Sequence, residues 1–150
     1  MSNYSIKISE NYKLTGTEQT VKVETLPRGK GIAYWVATAL LAFVVGSGGI
    51  GDITYQWGTL ETEEILGYPS YFMTVIGIWK VLGAIAILVP GFPRIKEWAY
   101  AGIFFEMTGA AASHAFAEDY GAYAYHILTT IGFAALTIVS WASRPKNRKL

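Results

Sequence analysis

The chain has no cysteine. Disulfides, thiolate metal sites and a cysteine-based redox relay within the chain are therefore excluded. Charge is scarce too: 15% of the 150 residues are Asp, Glu, Lys or Arg, against about 25% in an ordinary soluble domain. No basic stripe runs along any segment, so nucleic acid is not an expected partner. No Ser-His-Asp arrangement and no Rossmann fingerprint is present. A glycine-rich stretch, Gly46-Ser47-Gly48-Gly49-Ile50-Gly51, lacks the Lys-Ser/Thr of a phosphate loop and joins no strand to a helix. It reads as close helix packing, with Ser47 and Gly51 a small-xxx-small pair.

What the chain has instead is apolar length. Hydrophobic residues make up 52% of it, and the mean hydropathy is +0.31. Four apolar runs of about 20 residues each, the length that crosses a bilayer, occupy nearly everything after residue 30. They are expected at 32–53, 70–89, 96–116 and 122–141. The polar stretch before the first run is too long and too mixed in charge for a secretory signal, so that run is read as a permanent span. Pro69 opens the second run, where an unpaired N–H costs nothing. Pro90-Gly91-Phe92-Pro93 turns the chain into the third. The connection from the first run to the second carries Thr59–Leu66, expected as a short surface helix.

The charges alternate between connections. Of the 12 Lys and Arg residues, all but Lys80 lie before the first run, between the second and third, or after the fourth. They are Lys7, Lys13, Lys22, Arg28, Lys30, Arg94, Lys96, Arg144, Lys146, Arg148 and Lys149. The other two connections carry acids only: Asp52, Glu61, Glu63 and Glu64 in one, Glu118 and Asp119 in the other. Lys and Arg accumulate on the cytoplasmic side of membrane proteins. The expected fold class is therefore an all-α membrane protein, a four-transmembrane-helix bundle with both termini cytoplasmic. Residues 1–30 form a polar cytoplasmic tail, 31–143 the membrane domain and 144–150 a basic tail. Tyr34, Trp35, Trp57, Tyr68, Tyr71, Trp98, Tyr100, Tyr120, Tyr123, Tyr125 and Trp141 are expected as aromatic belts at the two interfaces.

Candidate function sits with the ionisable residues inside the runs. Lys80 lies near the middle of the second and Glu106 near the middle of the third. Such residues cost about 2.5–3.5 kcal/mol at a helix centre on the insertion scale and usually pair inside the bundle. Gly77, Gly83, Ala84, Gly102, Gly109 and Ala110 flank the two and would let their helices meet, so a Lys80–Glu106 ion pair is expected. It reads as a structural pin or as a ligand or proton site, with the balance toward the pin because pairing neutralises both groups. Ser113 shares the Glu106 face. His114 and His126 approach from the third and fourth runs at similar depth, with Asp52 nearby. Lys80, Glu106, Ser113, His114, His126 and Asp52 are thus the candidate ligand-binding residues, lining a cavity open to the outer face. The competing reading makes the histidines interfacial hydrogen-bonding groups. No HxxxH or ExxH spacing supports a metal, and no residue is assigned a catalytic role.

Several stretches resemble one family. They are Gly67-Tyr68-Pro69, then Gly77-Ile78-Trp79-Lys80-Val81-Leu82-Gly83-Ala84, and the run from Pro90 through Glu97-Trp98-Ala99-Tyr100-Ala101-Gly102 to Phe105. Thr108-Gly109-Ala110 with Ser113-His114, and Ser140-Trp141-Ala142-Ser143-Arg144-Pro145, complete the likeness, which covers roughly 35–145. The chain resembles the DoxX-like family of small four-span membrane proteins. The polar N-terminal tail looks like an addition. The family name derives from a subunit of an archaeal thiosulfate:quinone oxidoreductase, and relatives are linked to membrane redox complexes. More distant four-span proteins bind sterols or assist receptor assembly. The resemblance thus implies a bacterial inner-membrane protein with an accessory or binding role, holding a small lipophilic molecule such as a quinone. The alternatives are a membrane subunit of an oxidoreductase with a soluble redox partner protein, or a small transporter or assembly factor. The expected partners are the lipid bilayer, that ligand or redox protein, and further copies of the chain as a homo-oligomer. No flavin, haem or quinone site is marked in the sequence.

Overall fold

Five α-helices carry the fold: α1 (Arg28–Thr54), α2 (Thr59–Leu66), α3 (Ser70–Leu88), α4 (Pro93–Phe116) and α5 (Tyr125–Ala142). The computed structural model describes residues 11–14, 17–20, 28–117 and 124–149. Lys7, Lys22, Glu118, Asp119, Tyr120 and Tyr123, with their expected charge and interface roles, lie outside the described residues. Within the N-terminal tail, β1 (Asn11–Leu14) and β2 (Thr17–Thr20) pair antiparallel as a hairpin. Local sequence sets the helix ends. Pro69 is extended at the start of α3, and Gly91 and Phe92 are both left-handed before Pro93 opens α4. Pro90 disfavours helix at Val89 and so stops α3. Gly58 and Gly67, at φ 86 and 67, bracket α2.

The four long helices close a ring in which α1 packs on α3 and α5, and α4 packs on α3 and α5. Every neighbouring pair is antiparallel. Gly46 faces Ala84 while Gly49 faces Gly77; Gly83 meets Ile103 while Lys80 meets Glu106. Tyr100 bonds Ser140 while His114 lies on His126. The core holds Leu41, Val45, Ala84, Ile87, Ile103, Met107 and Ala134. A buried hydroxyl chain crosses it: Thr38 Oγ1 lies 2.7 Å from Ser140 Oγ, which lies 2.8 Å from Tyr100 Oη.

The outside of the ring carries many large apolar side chains. Phe43, Phe105 and Leu128 are each at least 70% exposed, with Val36, Leu40, Ile78, Leu82 and Ile131 among the large apolar side chains beside them. A contiguous surface of this kind marks contact with lipid or another apolar partner rather than water. Among the described residues, three helices are long and apolar enough to cross a membrane: Gly31–Thr54, Ser70–Leu88 and Tyr125–Ala142. α4 has 24 residues, more than α3 or α5, but Arg94, Lys96, Glu97 and Glu106 reduce its hydropathy.

One end of the ring is basic. Lys96 is fully buried there and donates to the carbonyls of Ala86 (2.9 Å) and Val89, capping the C-terminus of α3. Arg144 donates to Glu97 Oε1 at 2.6 Å and to the Trp141 carbonyl at 3.0 Å. Arg148 reaches Tyr34 Oη at 3.1 Å and the Leu88 carbonyl at 3.3 Å. Cations at helix C-termini complement the helix dipole. Tyr34 and Tyr100, expected in an aromatic belt, are buried instead and serve this polar network. Trp35, Trp98 and Trp141 do face outward at this end, as Trp57, Tyr71 and Tyr125 do at the other.

Candidate functional site

A backbone-close approach of α1 to α3 builds the site. A Cβ on Gly49 would lie 2.7 Å from the Gly77 carbonyl oxygen, and a Cβ on Gly77 would lie 2.6 Å from that of Gly49. Only glycine fits at either position, so α1 and α3 touch backbone to backbone. One turn beyond each glycine sits a charge: Asp52 on α1 and Lys80 on α3. The spacing puts them on the contact face, and Lys80 Nζ donates to Asp52 Oδ2 at 2.7 Å. Ser47 and Gly51 do not form this contact. Ser47 bonds back to the Phe43 carbonyl at 2.7 Å, and Gly51 lies under the Trp57 ring.

Glu106 joins from α4, with Oε1 3.1 Å from Lys80 Nζ. The expected Lys80–Glu106 pair is present, but Asp52 is the nearer partner. The three side chains are 17%, 9% and 21% exposed for Lys80, Asp52 and Glu106, so little solvent screens them. Asp52 is anchored further by Thr59, whose hydroxyl donates to Oδ1 at 3.1 Å. Through that bond the charged cluster reaches the first residue of α2.

A cavity of about 270 Å³ lies beside the cluster. Lys80, Glu106, Ser113 and His114 contribute its polar lining, Phe72, Ile76 and Phe105 its apolar walls, and Thr62 and Leu66 of α2 cover it. Tyr68 Oη sits 2.6 Å from Ser113 Oγ, tying the α2–α3 connection to α4. His114 is buried, and its ring centroid lies 4.7 Å from that of His126. His126 also packs on Tyr125, at 4.1 Å. Of the six candidate residues, four line the cavity. Asp52 stands behind Lys80, and His126 stands behind His114. Among the described residues, no group of three His, Asp or Glu is placed to hold a metal. Missed in the sequence were Thr59 as partner of Asp52 and the Gly49–Gly77 contact. The signal was there: Gly-x-x-Asp and Gly-x-x-Lys put glycine and charge one turn apart on two helices.

This combination is a ring of lipid-compatible helices with an acid–lysine–acid cluster inside and a cavity against it. Over residues 36–140 the sequence matches the DoxX-like family. The chain belongs to the DoxX-like family. It is a membrane protein, and its apolar surface is the surface in contact with lipid. The family match takes in most of α1, all of α2, α3 and α4, and nearly all of α5, so the cluster and the cavity both fall inside it. No curated protein and no solved structure matches the chain.

Proposed function

We propose that this DoxX-like protein is a non-catalytic binding protein of the bacterial inner membrane that holds a small lipophilic molecule, such as a quinone, in the cavity beside Lys80. The observation that carries this is the cavity itself: apolar and aromatic walls with a few convergent polar groups, the usual make-up of a small-molecule site. Lys80 offers N–H donors beside Glu106, and Ser113 and His114 offer further polar atoms about two turns along α4, with apolar and aromatic walls between. Intramembrane ionisable residues are functional candidates by default. The reading includes α4 as a fourth span. Its charged residues then pair within the ring or sit at its basic end, where Arg94 and Lys96 meet the cytoplasmic face. Both chain termini lie on that face, in accord with the placement of Lys and Arg.

Mass spectrometry of an organic extract of the purified protein tests the binding reading. A lipophile should be retained by the wild type and lost from Gly109→Leu. Gly109 lines the cavity, and a Cβ there would meet nothing within 4 Å, so a leucine can start there unobstructed and take up cavity space. Identical extracts from the two proteins would overturn the reading.

A further inference from the structure

Glu106 and Ile76 line two hollows at once. One is the cavity under α2, between α3 and α4. The other is a groove of about 310 Å³ between α3 and α4, with Trp79, Gly83, Gly102 and Ile103 along it. Trp79 is 68% exposed on the membrane-facing surface. Gly102 is exposed, and a Cβ there would meet nothing within 4 Å. Gly102, Glu106 and Gly109 stand at i, i+4 and i+7, on one face of α4. Between these two glycines Glu106 is the one ionisable group on that face, which runs from the membrane-facing groove to the cavity that Phe105 and Ser113 also line. The small residues around Glu106 open space rather than close it.

Asp52 from α1, Lys80 from α3 and Glu106 from α4 sum to one negative charge when all three are ionised. Asp52 and Lys80 satisfy each other at 2.7 Å, and Thr59 holds the second Asp52 oxygen. Lys80 reaches Glu106 through Oε1 alone. From α2, Glu63 accepts from the Ser70 hydroxyl through Oε1 at 2.5 Å, while its Oε2 is buried with no hydrogen-bond partner among the described residues; His114 of α4 lines the cavity, with His126 of α5 packed on it. An uncompensated charge in apolar surroundings is costly; a proton on Glu106 relieves it, and so does a ligand that brings one positive charge to an ionised Glu106. We propose that the α3–α4 groove and the cavity behind it form one binding path, open sideways to the bilayer, for a lipophilic cation whose ammonium head pairs with Glu106. The proposal rests on the cavity being a lipophile site and names the class of lipophile.

Calorimetric titration of the full chain in phosphatidylcholine nanodiscs tests it, with octylamine and octanol as probes and empty nanodiscs as the partitioning blank. Octylamine should bind saturably and about tenfold or more tighter than octanol, the usual return of a charge-assisted contact. Glu106→Gln should erase that difference. Gly102→Leu, whose Cβ has open space around it and whose side chain occupies the groove, should abolish saturable octylamine binding while leaving the melting temperature at or above that of the wild type. Equal affinity for the two probes, or unchanged octylamine binding in Gly102→Leu, overturns the proposal. The Gly102→Leu arm decides if Glu106→Gln does not fold. If both probes bind alike and Gly109→Leu abolishes both, the cation class fails and the lipophile site stands. If neither probe binds and no lipophile is extracted from the wild type, both readings fall.

Discussion

At the residue scale, Lys80 is held between two carboxylates and closest to the one that sequence depth would place at a membrane exit. Lysine side chains lean toward the N-terminus of their helix, which here carries Nζ toward the end of α1 where Asp52 sits. Asp52 is therefore the nearer partner of Lys80, at 2.7 Å, and Glu106 the second, at 3.1 Å. Lys80→Met should destabilise the protein by about 3–5 kcal/mol, because it leaves buried carboxylates without a counter-charge. Asp52→Asn combined with Lys80→Met should recover much of that loss. Lys80→Met with Glu106→Gln should recover less, since Asp52 remains ionised and buried. Thermal unfolding in detergent checks the order. Strictly additive losses for Asp52 and Lys80 would mean that the 2.7 Å contact carries no coupling.

At the element scale, glycines on the helices do opposite work on opposite sides of α3. Gly49 and Gly77 are filled against one another, so α1 and α3 pack at backbone contact. Gly102 and Gly109 face open space. Gly49→Ala should push α1 off α3 and cost about 1–3 kcal/mol, the usual range for overpacking. Gly102→Ala should be neutral or stabilising by up to about 1 kcal/mol, from helix propensity alone. Melting temperatures of the two variants decide the matter; a larger loss at Gly102 than at Gly49 would reverse the assignment of tight and open faces. α2 belongs to the same scale. It spans only eight residues between two left-handed glycines, and the Thr59–Asp52 bond fastens it to the charged cluster that it helps cover.

At the scale of the whole molecule, the antiparallel ring gathers Arg94, Lys96, Arg144, Lys146, Arg148 and Lys149 at one end and Asp52, Glu61, Glu63 and Glu64 toward the other. The orientation that follows from the positive side facing the cytoplasm is directly measurable. The absence of native cysteine makes single-cysteine labelling free of background. Cysteines at Glu64 and Asn147, both exposed, should differ in intact cells: an impermeant maleimide should label position 64 and leave position 147 unlabelled until lysis. Labelling at 147 in intact cells would place the basic end outside and end the proposed topology.

Helix positions were legible in the chain because apolar length, proline and glycine act locally. The expected runs 32–53, 70–89, 96–116 and 122–141 lie within a few residues of α1, α3, α4 and α5, and Thr59–Leu66 is α2 as expected. The meeting of Lys80 with Glu106 was legible as well, since two charges at matching depth on adjacent antiparallel helices have few other partners. Which faces touch was not legible. Glycine reads the same whether it admits another backbone or leaves a hollow, and only the packing of α1 on α3 separates Gly49 from Gly102. Tyr34 and Tyr100 look like belt residues by composition, yet a buried Arg148, Arg144 and Ser140 network drew them inward. The sequence by itself determined the helices, their order and the one-sided charge, because those follow from neighbours along the chain. The tertiary structure alone decided that Asp52 pairs with Lys80, that His126 stands behind His114, and that Glu106 opens onto a cavity, because each depends on how side chains from separate helices share a space.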